Sequence, residues 1–391
     1  MWAAAVTLLW HTEIPSNLRL PKVDAHQFFT SAQLASYWRY ERFYYLTWAM
    51  SLFATIVALV VMTRRAPRWA RSIGLGRVGT GVIIGMLTLT VLWFVHLPFN
   101  VADRWWERRH GLSRGSWVAW LTDPWLQLLG ETVMALFLIV VLLALAGRFP
   151  RNWWIAAAPV LAALAFVTTL TGGWLTAAGT HPIHNASLRR EVATLRQRVG
   201  AGGTPVRVDD VHSLTTQANA ESVGLWPSHR VVLWDTLLDG RFRNGQIRFV
   251  VAHEFGHVVR GHLWKGVLWF ILFAVPGLAL LAWFTGRRGG LRDPGVLPYG
   301  ILVLVLIQLV ATPLENLASR RYESEADWFA LTHTHDPAAG RGAFVELSRT
   351  SMAAPSPPTW AYILFENHPT IMQRIAMTEA YADRNGSAQQ P

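Results

Sequence analysis

Cysteine is absent from the 391 residues. Its absence excludes disulfides, thiol nucleophiles and thiolate metal ligands, and leaves histidine and carboxylate as the side chains suited to a zinc ion. Lysine is nearly absent too: of 35 Lys and Arg residues, only Lys22 and Lys265 are lysine. Charge as a whole is sparse, 15% of residues against 52% hydrophobic, which points to an integral membrane protein rather than a soluble one. The net charge of +11 is dispersed in short arginine clusters between apolar runs. No basic segment is interleaved with stacking aromatics, so no nucleic-acid partner is expected, and the arginines read as anchors to lipid phosphates. Residues 1–10, MWAAAVTLLW, lack a basic start and a small-residue cleavage site. They read as the stub of an extra span rather than as a signal peptide.

What is present is a series of long apolar runs. Spanning a bilayer takes about 20 mostly apolar residues. Six stretches qualify: Tyr45 to Met62, Gly79 to Pro98, Trp125 to Ala146, Trp153 to Thr171, Leu263 to Thr285 and Val296 to Leu317. Trp93, Trp105, Trp106, Trp117, Trp120, Trp153 and Trp154 crowd their ends, where amphipathic rings favour the headgroup level. His96 and Glu131 fall inside spans and are expected to face a protein interior or a water-filled cavity.

Two polar blocks long enough to fold remain, His181 to His262 and Ala318 to Pro391, separated by the last two spans. The expected organisation is a peripheral amphipathic segment at 1–44, four spans within 45–178, half of a polar domain at 179–262, two spans within 263–317, and the other half with a disordered polar tail at 318–391. In the first block, SLRREVATLRQRV places Leu188, Val192, Leu195 and Val199 on one helical face. PVRVDDV alternates like a strand, HRVVLWDTLL reads as a buried strand entering a helix capped by Asp235, and GQIRFVVAHEFGHVVRGH reads as one helix through His262.

That last helix contains H-E-x-x-H. His253 and His257 are four apart, so both imidazoles project from one helical face and can hold a single zinc ion, while Glu254 stands beside them to take a proton from water. Val250, Val251, Val258 and Val259 make the surroundings apolar, where two histidines and a glutamate without a metal are costly. A catalytic zinc takes three protein ligands and one open position. His262 does not fit as the third, because that pattern needs glycine at 260 and histidine at 263, where this chain has Arg260 and Leu263. RRYESEADWFA offers acids. They are either a solvated face paired with Arg320 and Arg321 or a metal ligand and a carboxylate behind a ligating imidazole; beside H-E-x-x-H the second reading is favoured. Positions i and i+4 share a helical face, so Glu323 rather than Glu325 acts together with Asp327, and Glu325 should face away.

HEFGH followed by E-S-E-A-D-x-F-A resembles the M48 metallopeptidases, most closely the Ste24-type CAAX prenyl protease branch. WERRHGLSR (106–114), QANAESVGL (217–225), RVVLWDTLL (230–238) and ENHPTIMQRI (366–375) are similar to further segments of that branch, and the likeness runs over roughly residues 25–380. It implies a mainly α fold: a polytopic helical membrane bundle with a zincin-like catalytic domain containing a small β-sheet. It also implies roles. His253, His257 and Glu323 bind one zinc, Glu254 is the general base and later the acid, and Asp327 supports His253 from behind. Asn219 lies on an edge strand that pairs with the substrate backbone, and His368 with Arg374 stabilises the oxyanion.

Two departures stand out. The branch usually has seven spans where this chain shows six and a stub, and its strand interior is commonly aromatic where this chain has Glu221, Ser222 and Val223. The implied function is a membrane-embedded zinc metalloendopeptidase acting on peptides or membrane-associated proteins, related to CAAX prenyl proteases. A quality-control endopeptidase without prenyl specificity is the alternative. A non-enzymatic zinc scaffold would need a fourth ligand that the missing cysteines do not supply. Basic residues near the span ends, among them Arg189, Arg190, Arg320 and Arg321, favour a cytoplasmic catalytic domain in a multi-pass cell-membrane protein.

Overall fold

The computed structural model describes residues 2–122 and 125–387. Its elements are α1 (Trp2–Trp10), α2 (Ser31–Ile73), α3 (Gly76–Arg109), α4 (Trp117–Thr122), α5 (Trp125–Arg148) and α6 (Trp153–Thr176). There follow α7 (Ala186–Arg198), β1 (Val206–Asp209), β2 (Ala220–Val223), β3 (Arg230–Trp234) and α8 (Asn244–Val259). The chain then returns through α9 (His262–Gly286) and α10 (Leu297–Thr334) and closes with α11 (Pro337–Ser351), α12 (Thr359–Phe365) and α13 (Ile371–Ser387). The tail expected to be disordered continues α13 to Ser387; residues 388–391 lie outside the described residues.

Among the described residues six helices, α2, α3, α5, α6, α9 and α10, are long and apolar enough to cross a membrane. Each contains one of the expected stretches, save that Val296 lies one residue before α10. The nine residues of α1 rise about 13 Å, too little for a hydrocarbon core about 30 Å thick. By contrast α2, with 43 residues, and α10, with 38, extend about 65 and 57 Å. Both outrun the bilayer, so α10 carries Glu323 and Asp327 rigidly out of the sixth apolar stretch and into the catalytic block.

The two polar blocks share one core. The inward face of α7 (Leu188, Val192, Leu195), the wholly buried β3 residues Val231 and Leu233, Val251 and Phe255 of α8, and Phe329, Phe344 and Ile375 from the second block pack together. Phe29 and Tyr37 are buried in the same core, so the N-terminal segment is part of the catalytic domain rather than peripheral to it. The sheet has the order β1-β3-β2, with β1 parallel and β2 antiparallel to β3. This leaves β2 at an edge.

Several local expectations change. Gly261 takes a left-handed conformation (φ 65°) and separates α8 from α9, so the helix expected to reach His262 ends at Val259. Glycine without a Cβ makes that break cheap. Asp235 does not cap a helix; its carboxylate accepts from the amides of Val211 and His212 and ties the loop after β1 to the end of β3. Trp153, expected as an interface anchor, packs in the interior among Leu278, Leu281 and Val303. His96 meets Thr55 of α2 at 2.8 Å, whereas Glu131 is exposed on α5, which excludes the protein interior of its two expected surroundings.

The sheet is seated on a span. A Cβ added to Gly173 of α6 would lie 2.4 Å from Ser228 O and 2.9 Å from Gly224 Cα, and the Ser228 hydroxyl donates to Leu170 O. Gly224, just past β2, has φ 83°, a conformation that L side chains resist. Gly224→Val should therefore lift the hairpin off α6 and destabilise the protein by about 2 kcal/mol or more, measured as a lowered thermal midpoint of the detergent-purified protein. Gly203→Ala, where nothing lies within 4 Å of the added Cβ, should leave it unchanged.

Candidate metal centre

The centre forms where α8 passes α10. A Cβ at Gly256 would stand 3.2 Å from both Ala326 Cα and Phe329 Cβ, so the absence of a side chain at 256 lets the backbones approach. His253 and His257 then face Glu323. Nε2 of His253 lies 3.0 Å from Nε2 of His257 and 3.2 Å from Glu323 Oε2, and His257 Nε2 lies 3.4 Å from Glu323 Oε1. Zinc bonds of about 2.0–2.1 Å in a tetrahedron set ligand atoms about 3.3 Å apart, so this triangle has the size a zinc ion requires. The approach of His253 to Glu323 Oε2 lacks hydrogen-bond geometry, and this buried oxygen is left without a hydrogen-bond partner. Such an atom is expensive to bury unless a cation meets it.

Each imidazole is held from behind. His253 Nδ1 lies 2.8 Å from Asp327 Oδ1, the carboxylate that i, i+4 spacing puts on the face of Glu323. Asp327 in turn receives two hydrogen bonds from Arg374, Nε to Oδ2 at 2.8 Å and Nη2 to Oδ1 at 2.6 Å. Arg374 is therefore not turned to the reacting side, as expected of an oxyanion partner; the buried carboxylate captures it because an unpaired aspartate there would be costly. Burial works against the His253 cation, yet the hydrogen bond to Asp327 and the charges of Asp327 and Glu323 outweigh it and raise the pKa. A metal ion must displace that proton, so affinity should weaken as pH falls.

The second support is one that sequence reasoning missed. His262, rejected as a ligand, places Nδ1 3.0 Å from His257 Nδ1 and Nε2 2.9 Å from Glu325 Oε2. Glu325 faces away from the cluster as expected, but it is buried and also accepts from the amide of Glu13 at 2.8 Å. The signal in the sequence was a histidine just past the helix-breaking glycine. Arg320 and Arg321 pair with no acid of the site: Arg320 Nη1 donates to the carbonyls of Tyr362 and Glu366, and Arg321 donates to Trp10 O.

Glu254 is buried one residue along from His253. Burial raises its pKa, with the two histidines opposing. His368, its side chain 46% exposed, puts Nε2 3.1 Å from Glu323 Oε2. The Arg320 contacts hold the loop that delivers it. Asn219 lies immediately before β2 and its carbonyl accepts from Trp234 N at 3.0 Å. His253, His257, Glu254, Glu323, His368 and Asn219 all border a cavity of about 1020 Å³ that continues between α5, α6, α9 and α10. Arg374 does not border it.

The model of peptidase family M48 matches residues 182–382. The chain belongs to peptidase family M48. It is a metalloprotease, and the H-E-x-x-H helix and the Glu323–Asp327 pair fall within the matched region. It is similar to the metalloprotease YhfN of Bacillus subtilis (strain 168), 23% identical over 94% of this chain and 90% of that one. A CAAX prenyl protease 1 homolog of Oryza sativa subsp. japonica is 26% identical over 51% of this chain and 48% of its own length, so the chain spans about half of that relative. In fold it resembles the crystal structure of S. mikatae Ste24p, with a TM-score of 0.75, 18% identity, and coverage of 96% of this chain and 95% of that one.

Zinc titrations of purified variants should rank the supports of the site. Glu323→Ala should lose affinity most steeply, while Asp327→Ala, His262→Ala and Glu325→Ala should each lose about tenfold to a hundredfold, as partners behind a ligand usually do. Full affinity in Glu325→Ala would show that the His262 contact carries no weight.

Proposed function

We infer that the chain is a membrane-embedded zinc endopeptidase that cuts peptide or membrane-associated protein segments entering the cavity. The observation that carries this reading is the zinc-sized triangle of His253, His257 and Glu323, with Glu254 adjacent, at the wall of an accessible cavity. In this reading those three residues hold one ion, Asp327 orients His253 with Arg374 locking Asp327, and His262 with Glu325 orients His257. Zinc, when bound, supplies a Lewis acid that polarises a carbonyl and lowers the pKa of water toward about 7.

Glu254 accepts the proton of the attacking water and returns it to the departing amine. Its burial favours this work, since a carboxylate pushed above its ordinary range is a better base near neutral pH. His368 stands on the open side of the cluster, where its imidazole can donate to the oxyanion. Asn219 and β2 offer the substrate a sheet edge beside the cluster. The level of the site follows from the helices: Glu323 lies six residues beyond Leu317, about 9 Å along α10. Hydrolysis then occurs near the headgroups rather than far into solvent. Arginines at the catalytic ends of the spans support a cytoplasmic placement.

Cleavage of an internally quenched peptide should stop on chelation and return with zinc. Glu254→Gln should keep zinc and lose turnover by a hundredfold or more; near-normal turnover would remove Glu254 from its role. Comparing a farnesylated peptide, its unmodified twin and an unfolded membrane protein separates prenyl-directed from general proteolysis. For orientation, a reporter fused to the C-terminus should be active only in the cytoplasm.

A further inference from the structure

The cavity beside the metal cluster carries a charge pattern that the proposed chemistry does not use. Among the described residues no Lys or Arg lines it, yet Glu221 and Glu315 do, in addition to Glu254 and Glu323. Glu315 accepts from the side chain of Gln308 at 2.8 Å. Glu221 is different: it is half-buried on β2, and among the described residues no basic side chain pairs with it. Its cross-strand partner is Val232, wholly buried. Burial raises its pKa, and the charges of Glu254 and Asp209 add to the rise. A carboxylate in that setting lacks a counter-charge.

The ladder shows what stands beside it. Trp234 N donates to Asn219 O, which makes these two a hydrogen-bonded pair. In an antiparallel ladder such pairs alternate with unbonded ones. In the observed register, Ala220 with Leu233 and Glu221 with Val232, it is Glu221 that bonds to β3. Ala220 and Ser222 therefore turn their amides and carbonyls away from β3, toward the edge that borders the cavity. An extended peptide that pairs with those groups places one of its residues directly opposite Glu221 on the same face, about 4.5 Å away at Cα if it runs antiparallel.

We propose that Glu221 is a specificity determinant that selects substrates bearing Lys or Arg at the residue opposite it, within a few residues of the scissile bond. A cation there supplies the missing counter-charge. An acidic residue there would face Glu221, and like charges directly opposite on a sheet are unfavourable. The proposal rests on the reading of this site as a peptidase that captures its substrate along β2, and it adds the chemistry of that substrate.

The test uses the full-length, zinc-loaded protein in nanodiscs and a set of quenched peptides. They are identical except for Lys, Gln or Glu placed in turn at each of the four residues on either side of the scissile bond. The readout is the ratio of kcat/KM for the Lys peptide to that for the Glu peptide, so any general loss of activity in a variant cancels. The wild type should prefer Lys by about tenfold at one position, less at high salt. Glu221→Gln should bring the ratio near one and Glu221→Lys should invert it, with zinc content reporting that each variant is folded. If the Lys variant does not fold, the Gln variant decides alone. Cleavage of all peptides by the wild type with no preference at any position, or a preference that survives both substitutions, overturns the proposal and leaves the peptidase reading standing. No cleavage of any peptide by the zinc-loaded wild type overturns the peptidase reading, and this inference with it.

Discussion

The distance between two helices governs this site. His253 and His257 come from α8 and Glu323 and Asp327 from α10, with a whole span between them in sequence. They meet because Gly256 presents no side chain to Ala326 and Phe329. A larger residue at either small position would separate the backbones, and the ligand triangle would open beyond what one ion bridges. The cost of burying four ionisable groups at that contact is offset only if each finds a partner, which explains why so much of the surrounding structure is committed to them.

Those commitments run in two parallel chains. Asp327 and Arg374 stand behind one ligating imidazole, and His262 and Glu325 behind the other. The first draws α13 onto the site. The second draws in the start of α9 and the N-terminal segment, through Glu13 at Glu325 and through Leu9, whose carbonyl accepts from Tyr322 at 2.6 Å. Tyr322 also takes a hydrogen bond from Trp269 of α9 at 2.7 Å. Spans, N-terminal segment and C-terminal helix thus converge on one cluster, and the spans act as rigid extensions of the site rather than as separate anchors.

The same rigidity joins chemistry to access. The β2 edge rests on α6 through Gly173 and Gly224, and the cavity beneath it is walled by the bundle. The frame is one that a Ste24p structure shares at 18% identity. The side chains along the β2 edge belong to this chain. Frame and lining are set by different forces: backbone approach and helix packing for the first, charge and size at a few exposed positions for the second.

Much of this was legible in the sequence because it is local. Apolar length marks the six spans, a four-residue spacing puts His253 beside His257 and Glu323 beside Asp327, and alternation marks β1. These patterns depend only on helical and strand periodicity. What periodicity cannot encode is the partner across the fold. Arg374 reads as an oxyanion partner until Asp327 is seen to hold it, and Glu325 reads as idle until His262 arrives beyond the break at Gly261. Phe29 and Tyr37 read as peripheral until the shared core buries them. The sequence by itself determined which residues could ligate a metal and which stretches are long and apolar enough to cross a bilayer. Only the tertiary structure decided which side chain supports which ligand and which groups face the cavity, because those choices depend on contacts between segments far apart in the chain.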